Sequence, residues 1–479
     1  MRRYECQALD KATKICSSVT KKLVPPARLR RMVESKAEEI RSAVERECER
    51  ANLPAEVRLD GSVAKDTWIR GYADVDIFMR VSPQLSKQQL REVCLPIARE
   101  ALKPNPITER FAEHPYVESS VNGLRVNVVP CYNVERGNWL SATDRTPYHT
   151  QYVLEHITHQ QRDEIRLLKA FMRGIGAYGA DIKTGGFSGM LCETLVIADR
   201  NFQNVIQDFG KWKEDCFIDV EDYYRGRSEE VHQIFKEPLV VIDPVDKGRN
   251  LAAAVRTAQL WNFVAACRHF VETPKSSAFS EPQAKPLTET GYKNLLERRG
   301  SDIVCLMVGK VDAVVDILWS QLYRTQRALT HLLENNYFEV IRSAAWSDEQ
   351  SMNILLFELE RARLPDTRKH RGPPVSKPAE SATFISKHLG DDSTLSGPWI
   401  ENDRWVVQKK RTNVSAHDLL VSALRSGGTD VGVAPLFTCE FKKNVRIIEN
   451  DQISPFLSMN KEFAKFMRSY LSGRPPWLA

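Results

Sequence analysis

The chain has 479 residues, of which 42% are hydrophobic and 27% are charged. The length exceeds what one hydrophobic core normally supports, and the composition excludes an intrinsically disordered chain, so we expect two to four globular domains. The formal net charge of +6, from 68 Lys and Arg against 62 Asp and Glu, allows a polyanionic partner without requiring one.

The ten cysteines are dispersed along the chain, and no two of them have a CxxC spacing. This excludes the dense disulfide framework of a small secreted domain and favours a reducing compartment. The first residues lack the apolar stretch of a signal peptide, and no apolar run reaches the ~18 residues that a membrane-spanning helix needs. The sequence therefore predicts a cytoplasmic protein without a membrane segment.

The first half of the chain changes from helical to alternating patterns. Apolar residues at helical spacing predict helices over residues 5–50, with a break at Pro25 and Pro26. Short alternating segments then predict three strands, at residues 57–59, 75–81 and 124–129. A predicted helix at residues 87–102 separates the last two strands, so residues 51–147 are interpreted as a small α/β sheet domain.

The following region, residues 148–270, is predicted to be mainly helical. It contains predicted helices at residues 162–173 and 189–198 and a helical block at residues 250–271. Residues 300–420 mix predicted strands with a long predicted helix at residues 311–335. Gly174, Gly176 and Gly179 match a GxGxxG pattern, but they follow a helix instead of a strand, so we interpret them as a helix end and loop.

Two aspartates two residues apart give the clearest chemical signal. Asp74 and Asp76 lie on a predicted strand, where residues i and i+2 project to the same face. Two neighbouring carboxylates repel each other unless a cation lies between them, and hard oxygen ligands of this kind suit Mg²⁺. Upstream, Gly61 and Ser62 follow a strand and offer backbone N–H groups and a hydroxyl to a phosphate.

Each of these features is common by itself, because Asp-x-Asp often marks a solvated strand face and Gly-Ser is a frequent turn. Their order within one α/β stretch resembles the signature of the nucleotidyltransferase superfamily. Such sites take a third carboxylate from a following strand, and the matching position here is Asn127. An amide oxygen can ligate a cation but carries no charge. Glu118 is a possible substitute, although its direction does not follow from the sequence.

Ten motifs in order make the resemblance more specific. They are GSVAKDTWIRG at 61–71, DVDIF at 74–78, VNVVPCY at 126–132, DRTPYH at 144–149, RLLK at 166–169, YGA at 178–180, GGFSGMLCE at 185–193, DPVDKGRN at 243–250, RTQRALTH at 324–331 and FEVIRSAAW at 338–346. Together they are similar to the archaeal-type, class I CCA-adding tRNA nucleotidyltransferases, over about residues 20–460.

The resemblance implies an α+β multidomain fold with a nucleotidyltransferase-type mixed-sheet palm, or head, a helical neck, and an α/β body and tail. Residues 1–50 would pack as helices on the head at 51–147. Residues 148–270 would form the neck, and residues 271–479 would form the body and tail. The implied activity is template-independent addition of C, C and A to the 3′ end of tRNA from CTP and ATP, with Mg²⁺.

The same resemblance assigns roles to individual residues. Asp74, Asp76 and Asn127 would hold the metal. The nucleotide would be bound by residues spread over the first two domains, namely Gly61, Ser62, Lys65, Thr146, His149, Lys169, Tyr178 and Arg249. Arg249 would face the base edge and so distinguish adenine and cytosine. Lys65 stands where the family usually has arginine, which keeps the charge but loses the bidentate geometry.

Contacts with tRNA are expected in the last region. Arg324, Arg327 and His331 are spaced i, i+3 and i+7 and would form one basic helix face, and Arg342 follows nearby. A solvated helix would also carry such charges, but duplex RNA is bound through its shape and backbone, which suits such a face. The implied partner is the tRNA acceptor stem and T-arm, and the resemblance leaves a homodimer open.

Several of these residues have alternative interpretations. Lys169 and Tyr178 would, without the resemblance, be read as an ordinary surface lysine and a core tyrosine. His149, His156 and His159 lack the further ligands of a zinc site. Two alternatives to CCA addition stay open: a poly(A)-type terminal nucleotidyltransferase, and a non-catalytic protein, natural or engineered, in which Asn127 leaves tRNA and nucleotide binding without turnover.

Overall fold

The structure is a computed structural model that describes residues 2–111, 115–214, 216–281 and 283–478. It divides into two compact units, one formed by residues 1–283 together with 474–479, and the other by residues 284–473. Within the described ranges, every helix is too short or too polar to serve as a membrane span.

The first unit contains eleven α-helices and eight strands among its described residues. In chain order they are α1 (Arg2–Leu23), α2 (Ala27–Arg50), β1 (Ala55–Asp60), α3 (Gly61–Ala64), β2 (Asp74–Val81), α4 (Lys87–Gln89), α5 (Leu95–Leu102), β3 (Ile107–Phe111), β4 (Pro115–Val121), β5 (Leu124–Tyr132), α6 (Thr146–His156), α7 (His159–Gly174), α8 (Gly189–Asp199), α9 (Phe202–Gly210), β6 (Phe217–Ile218), α10 (Ser228–Ile234), β7 (Val240–Asp243), β8 (Asp246–Asn250) and α11 (Thr257–Glu272). A π-helical turn, Leu90–Cys94, joins α4 to α5.

A mixed five-stranded sheet forms the first part of this unit, with the strand order β1-β2-β5-β4-β3. Strands β2 and β5 run parallel, while the other neighbouring pairs are antiparallel. Alternation explains the two faces of the sheet. On β2, Val75, Ile77 and Met79 are fully buried against α2 and α5. The aspartates of β2 therefore project from the opposite face.

The helices of the remaining part of the first unit pack around a cluster of aromatic side chains. Phe171 of α7 makes edge-to-face contacts with Phe202 of α9 and Phe263 of α11, at centroid distances of 5.7 and 6.2 Å. All three rings are fully buried. A small three-stranded sheet, in the order β6-β7-β8, lies in the same part of the chain.

The second unit contains seven helices and seven strands among its described residues. In chain order they are α12 (Glu289–Arg299), β9 (Asp302–Val308), α13 (Val315–Asn335), β10 (Val340–Ser347), β11 (Asn353–Leu359), β12 (Thr367–Pro374), α14 (Pro378–Leu389), β13 (Thr394–Glu401), β14 (Arg404–Lys410), α15 (Ala416–Leu424), α16 (Pro435–Asn444), β15 (Val445–Glu449), α17 (Ser454–Met459) and α18 (Lys461–Ser472).

Two antiparallel sheets organise the second unit, in the orders β10-β11-β9-β15 and β12-β14-β13. The first is covered on both faces, which explains the continuous apolar run of β9. Val304 and Leu306 pack with the apolar side of α13, and Ile303 and Cys305 pack with residues of α17 and α18. The long helix α13 begins at Val315, slightly later than residue 311, where the sequence predicted it to begin.

The structure confirms the mixed α+β architecture and corrects one helix. The predicted helical block at residues 250–271 is wrong at its start, because Asn250 ends β8 and the helix begins at Thr257. The side chain of Asn250 explains the difference. Its Oδ1 accepts hydrogen bonds from the backbone N–H groups of Val241 and Ala252, which holds the chain in a turn. The GxGxxG segment does form a helix end and loop, with Gly176 at φ +74°.

Candidate active site

A row of polar side chains crosses the face of the five-stranded sheet that lies opposite the α2 and α5 side. The strand register places Asp76 directly opposite Asp60 on one side and Asn127 on the other, and Asn127 opposite Glu118. Directly opposed residues on neighbouring strands project to the same face. The predicted pairing of Asp74 and Asp76 on one face is therefore confirmed, and Asn127 lies beside them. We call Asp74, Asp76 and Asn127 the carboxylate face.

The two aspartates are placed where their negative charge is unfavourable. Burial raises the pKa of Asp76 to about 6, against a hydrogen bond from Asn127, and the charge of Asp74 raises it further. The pKa of Asp74 is also raised, mainly by burial, while Arg125 opposes the rise. A divalent cation would relieve both effects, because it favours the ionised carboxylates. The electrostatics of the carboxylate face thus suit a cation.

Asn127 is held to this pair by one hydrogen bond, which its Nδ2 donates to Asp76 Oδ1 at 2.9 Å. Its own Oδ1 is buried and has no hydrogen-bond partner among the residues that the structure describes. An orphaned amide oxygen is a ligand type that divalent cations accept. No three His, Cys, Asp or Glu side chains come together as a metal site within the described residues. The carboxylate face therefore fits a divalent cation through two carboxylates and one amide.

Glu118 does not replace the missing carboxylate. It projects to the same face as Asn127, but its oxygens accept hydrogen bonds from Arg110 at 3.0 Å and from Arg125 at 2.9 Å. Although burial alone would raise the pKa of Glu118, these two arginines bring it below its ordinary value. Glu118 is therefore a charged partner of two arginines.

The Gly61–Ser62 turn packs directly against the carboxylate face. Gly61 has φ +76°, and a Cβ atom there would lie only 2.2 Å from Asp76 Oδ2. Its N–H donates to Thr150 Oγ1 on α6 at 3.2 Å. Both the left-handed backbone and the close approach require glycine at this position. Ser62, which is half-buried, follows at the start of α3 and is thereby fixed beside the aspartates.

The two predicted nucleotide-binding lysines, Lys65 and Lys169, share one buried carboxylate. Glu193, on α8, accepts a hydrogen bond from Lys65 Nζ at 2.5 Å and another from Lys169 Nζ at 2.8 Å. Thr67 completes the group by donating to Glu193 Oε1 at 2.6 Å. All four side chains are buried. We call Lys65, Thr67, Lys169 and Glu193 the Glu193 cluster.

The two lysines outweigh burial in setting the charge of this cluster. Burial by itself would raise the pKa of Glu193, but the charges and hydrogen bonds of Lys169 and Lys65 lower it to about 2. With Glu193 ionised, the cluster keeps one net positive charge when both lysines are protonated. A buried positive charge near the Gly61–Ser62 turn suits the binding of a phosphate.

Tyr178 lies next to the start of α8, the helix that carries Glu193. A Cβ atom on Gly189, the first residue of α8, would be 3.3 Å from Tyr178 Oη and 3.7 Å from Lys169 Nζ. Burial raises the pKa of the Tyr178 phenol, so this group is a neutral hydrogen-bond donor at neutral pH. The structure thus brings two predicted nucleotide-binding residues to the beginning of α8.

His149 and Arg249 both contact Asp243, another buried carboxylate. Asp243, at the end of β7, lies 2.9 Å from His149 Nε2 and accepts a hydrogen bond from Arg249 at 2.8 Å. Burial would raise the pKa of Asp243, but its hydrogen bond and charge interaction with His149, the N–H of Val245 and the charge of Arg249 lower it. Thr146 starts α6, the helix that carries His149. Arg249 also lines a cavity of about 480 Å³.

Glu193, Thr67 and Asp243 are the residues that the sequence analysis left without a role. The signal for Glu193 was present, because a single charge inside the apolar run of α8 requires a buried partner. Its partners could not be read in the same way, since Lys65 is 128 residues away along the chain. The sequence carried no comparable signal for Thr67.

The residues predicted to bind tRNA differ in their surroundings. Arg324, Arg327 and His331 are all exposed on α13. Arg342 is instead engaged within the second unit, where its Nε donates to Glu358 at 2.6 Å and its guanidinium lies 4.3 Å from the centroid of the Tyr470 ring. The predicted basic helix face is thus present on α13, and Arg342 has a structural ion pair.

Three family profiles match consecutive parts of the chain. The nucleotidyltransferase domain matches residues 40–157, the second domain of tRNA nucleotidyltransferase matches residues 163–280, and the C-terminal domain of the CCA-adding enzyme matches residues 299–434. The first covers the sheet with the carboxylate face, and the second covers Lys169, Glu193 and Asp243.

Full-length relatives agree with these profiles. The CCA-adding enzyme of Methanopyrus kandleri is 32% identical over 96% of this chain and 97% of its own length. The enzyme of Methanosarcina barkeri is 36% identical over 81% of this chain and 84% of its own length. The enzyme of Methanothermobacter thermautotrophicus is 33% identical over 90% of this chain and 91% of its own length. With all three domains matched and these relatives 32–36% identical over most of the chain, the chain belongs to the archaeal-type CCA-adding enzyme family.

Proposed function

We propose that this protein adds C, C and A to the 3′ end of tRNA without a template, using CTP and ATP and releasing pyrophosphate. The observation that carries the proposal is the pair Asp74 and Asp76, facing one side of a nucleotidyltransferase sheet beside the Gly61–Ser62 turn. The names of the relatives and the two further domain matches support tRNA as the substrate class.

The proposed metal is Mg²⁺, held by Asp74 and Asp76 with the amide of Asn127. Enzymes of the nucleotidyltransferase fold generally use divalent metal ions. When bound, Mg²⁺ would stabilise the charge on the transferring phosphate and the leaving pyrophosphate. Asp76 and Asp74 supply its negative ligands, and Asn127 keeps Asp76 oriented through its hydrogen bond.

The triphosphate and sugar would be bound by Gly61, Ser62, Lys65, Thr146, His149, Lys169 and Tyr178. The net positive charge of the Glu193 cluster supports this role, as does the convergence of Lys169 and Tyr178 at the start of α8. Arg249 would read the base edge, and its hydrogen bond to Asp243 supports a fixed guanidinium orientation. A fixed donor set can select a base by its hydrogen-bonding edge without a template strand.

The proposed RNA contacts lie on α13, where Arg324, Arg327 and His331 would face the acceptor stem and T-arm. Their shared exposure supports this interpretation, since phosphates are bound by accessible cations. Arg342 would act indirectly, by holding Glu358 and Tyr470. A cytoplasmic location fits tRNA as the substrate and fits the nine described cysteines, which are free thiols.

Asn127 supports a second candidate, a non-catalytic protein that binds tRNA and nucleotide without turnover. The amide adds no negative charge to the carboxylate face and cannot act as a base. Losing that charge weakens both cation binding and deprotonation of the attacking hydroxyl.

An incorporation assay tests the proposal. The full-length protein is incubated with a tRNA that lacks CCA, with Mg²⁺, and with labelled CTP, ATP or both. Ordered addition of two C and one A supports the proposed function. Use of ATP alone would instead favour a poly(A)-type terminal transferase. Binding of tRNA without any incorporation would favour the non-catalytic candidate.

A further inference from the structure

A small cationic pocket lies in the second unit, apart from the α13 residues discussed above. It has a volume of about 320 Å³ and opens between the end of α13 and the strands β12 and β14. Four cationic side chains line it, with one tyrosine: Tyr337, Arg368, Lys409, Lys410 and Arg411. We call these five residues the Arg411 pocket.

Arg411 is the unusual member of this group. Its Nε and Nη1 atoms are buried and have no hydrogen-bond partner within the described residues. Burying part of a guanidinium without an acceptor is costly, because the group loses water and gains nothing in return. Protein interiors normally pair such nitrogens. The orphaned donors of Arg411 therefore indicate that an acceptor from outside the chain completes the pocket.

The remaining charges of the pocket are mostly left uncompensated as well. Lys409 pairs with Asp391 at 2.7 Å, and this is the one carboxylate that the described contacts bring to the pocket cations. Lys410 is exposed, and Arg368 lies over a ring instead of beside an acid. The pocket thus carries a positive excess, which favours an anionic ligand.

Tyr337 places its ring against two arginines of the pocket. It follows the end of α13 with φ +70°, the left-handed conformation that commonly ends a helix, and the Phe338 N–H accordingly donates to Leu333 O at 3.1 Å. The guanidinium carbons of Arg368 and Arg411 lie 4.3 and 5.7 Å from its ring centroid. The helix end therefore holds one ring against two arginines and so orients both of them.

We propose that the Arg411 pocket binds a backbone phosphate of duplex RNA, which under the proposed function is the tRNA. Guanidinium and ammonium groups together match phosphate oxygens, and Arg in particular can donate two parallel hydrogen bonds. Four cations and one aromatic ring line the pocket, so we infer that it binds the RNA backbone and not a base. The inference rests on the proposed function only for the identity of the RNA.

Equilibrium binding tests the pocket without relying on turnover. The full-length protein is titrated with a fluorescent tRNA minihelix that lacks CCA, without nucleotide, at several salt concentrations. The variants are Arg411→Gln and the exposed Lys410→Gln. Arg425→Gln is the matched control, because Arg425 is exposed in the same unit and does not line the pocket. Inorganic pyrophosphate and CTP are titrated as separate ligands.

The expected result for each pocket variant is an affinity for the minihelix about fivefold to tenfold weaker than wild type, as loss of a charged phosphate contact predicts. The slope of log K against log salt should fall by about 0.7–0.9 for each lost contact. Arg425→Gln should change neither quantity by as much. Tyr337→Asn, which tolerates the left-handed backbone, should weaken binding, and Tyr337→Phe should retain it.

Two results would overturn the inference. In one, Arg411→Gln and Lys410→Gln behave like Arg425→Gln towards the minihelix. In the other, they weaken binding of pyrophosphate or CTP but not of RNA. Folding gives a further check, since removal of an unpartnered charge should leave the thermal midpoint unchanged or raised; a lowered midpoint with unaltered RNA affinity means that Arg411 is structural. If no nucleotide is added but the pocket variants lose RNA affinity, only the proposed function fails.

Discussion

The half-buried carboxylate face and the buried Glu193 cluster are both groups of charged side chains, but their charges are compensated in opposite ways. In the Glu193 cluster, one carboxylate is matched by two lysines and a threonine, and the pKa of Glu193 falls to about 2. On the carboxylate face, two carboxylates meet a neutral amide, and the pKa of Asp76 rises to about 6.

This difference separates a closed group, whose carboxylate is already paired with cations, from an open group, whose carboxylates lack such partners. A closed group holds geometry, since its carboxylate has cationic partners in place before any ligand arrives. In an open group, unpaired like charges repel each other, and a ligand of the opposite charge removes this unfavourable electrostatic energy. The comparison predicts that substitutions on the carboxylate face act on turnover, and that substitutions in the Glu193 cluster act on stability and nucleotide affinity.

The largest effect is expected from Asn127→Asp, which makes the open group more negative. A third carboxylate should strengthen cation binding and raise kcat for CMP addition by roughly 10²-fold. Affinities for tRNA and for CTP without metal should stay close to wild type. The matched control is Asn122→Asp, in the exposed turn between β4 and β5. Single-turnover incorporation is the measurement. Equal rates for wild type and Asn127→Asp would contradict the interpretation of Asn127.

The next effect is expected from Glu193→Gln, which opens the closed group. Two buried lysines lose their carboxylate, so the free energy of unfolding at neutral pH should fall by on the order of 3 kcal/mol. The KM for CTP should rise about tenfold while kcat changes less, because the lysines lose their fixed positions. Urea unfolding and steady-state kinetics measure the two effects, and Glu193→Asp should partly restore both.

Glu358→Gln is the matched control for that variant, because Glu358 is also a buried carboxylate between two cations, Arg299 and Arg342. It should destabilise the second unit and leave the KM for CTP unchanged. An equal rise of KM in both variants would reduce the Glu193 cluster to a purely structural role.

The pH dependence of stability tests the same cluster in wild type. The pKa of Glu193 is lowered from 4.5 to about 2 on folding, so the native state holds this carboxylate ionised more strongly than the unfolded chain does. Its stabilisation is therefore complete above pH ~4.5 and is lost as the pH falls towards 2. The stability difference between wild type and Glu193→Gln should shrink across this window in urea unfolding experiments. If this stability difference stayed constant between pH 4.5 and 2, the lowered pKa of Glu193 would be contradicted.

A smaller effect is expected from Asp243→Asn, which removes the shared partner of His149 and Arg249. Arg249 should lose its fixed orientation, so KM for CTP and ATP should rise several-fold, and incorporation of UTP and GTP should increase relative to CTP and ATP. Asp246→Asn is the control, since Asp246 lies on the same hairpin but pairs with Arg145. Unchanged base selection in Asp243→Asn would remove Arg249 from base recognition.

The smallest effect is expected from Glu118→Gln. Because Glu118 is held by Arg110 and Arg125, it should contribute nothing to cation binding, and kcat should change by less than about threefold. Incorporation at limiting Mg²⁺ is the sensitive measurement. A strong increase in the Mg²⁺ requirement would mean that Glu118 does serve the carboxylate face.

Much of the fold could be predicted from periodicity, because buried faces repeat with the period of the local structure. The strand at 75–81 and the helical stretch at 87–102 were both confirmed in this way. The start of α11 was not, since the turn after Asn250 depends on side-chain hydrogen bonds to β7 and to Ala252. Strand β3 was missed, because it lacks the clean alternation that identified β2.

The sequence by itself determined that Asp74 and Asp76 share a face, because two residues two apart on a strand must do so. It also determined the family, through motifs in a fixed order. The tertiary structure decided that Asn127 lies beside Asp76, that Glu118 faces two arginines, and that Glu193 joins two lysines. These outcomes depend on strand register and helix packing, which bring together groups up to 128 residues apart, and no local pattern encodes such distances.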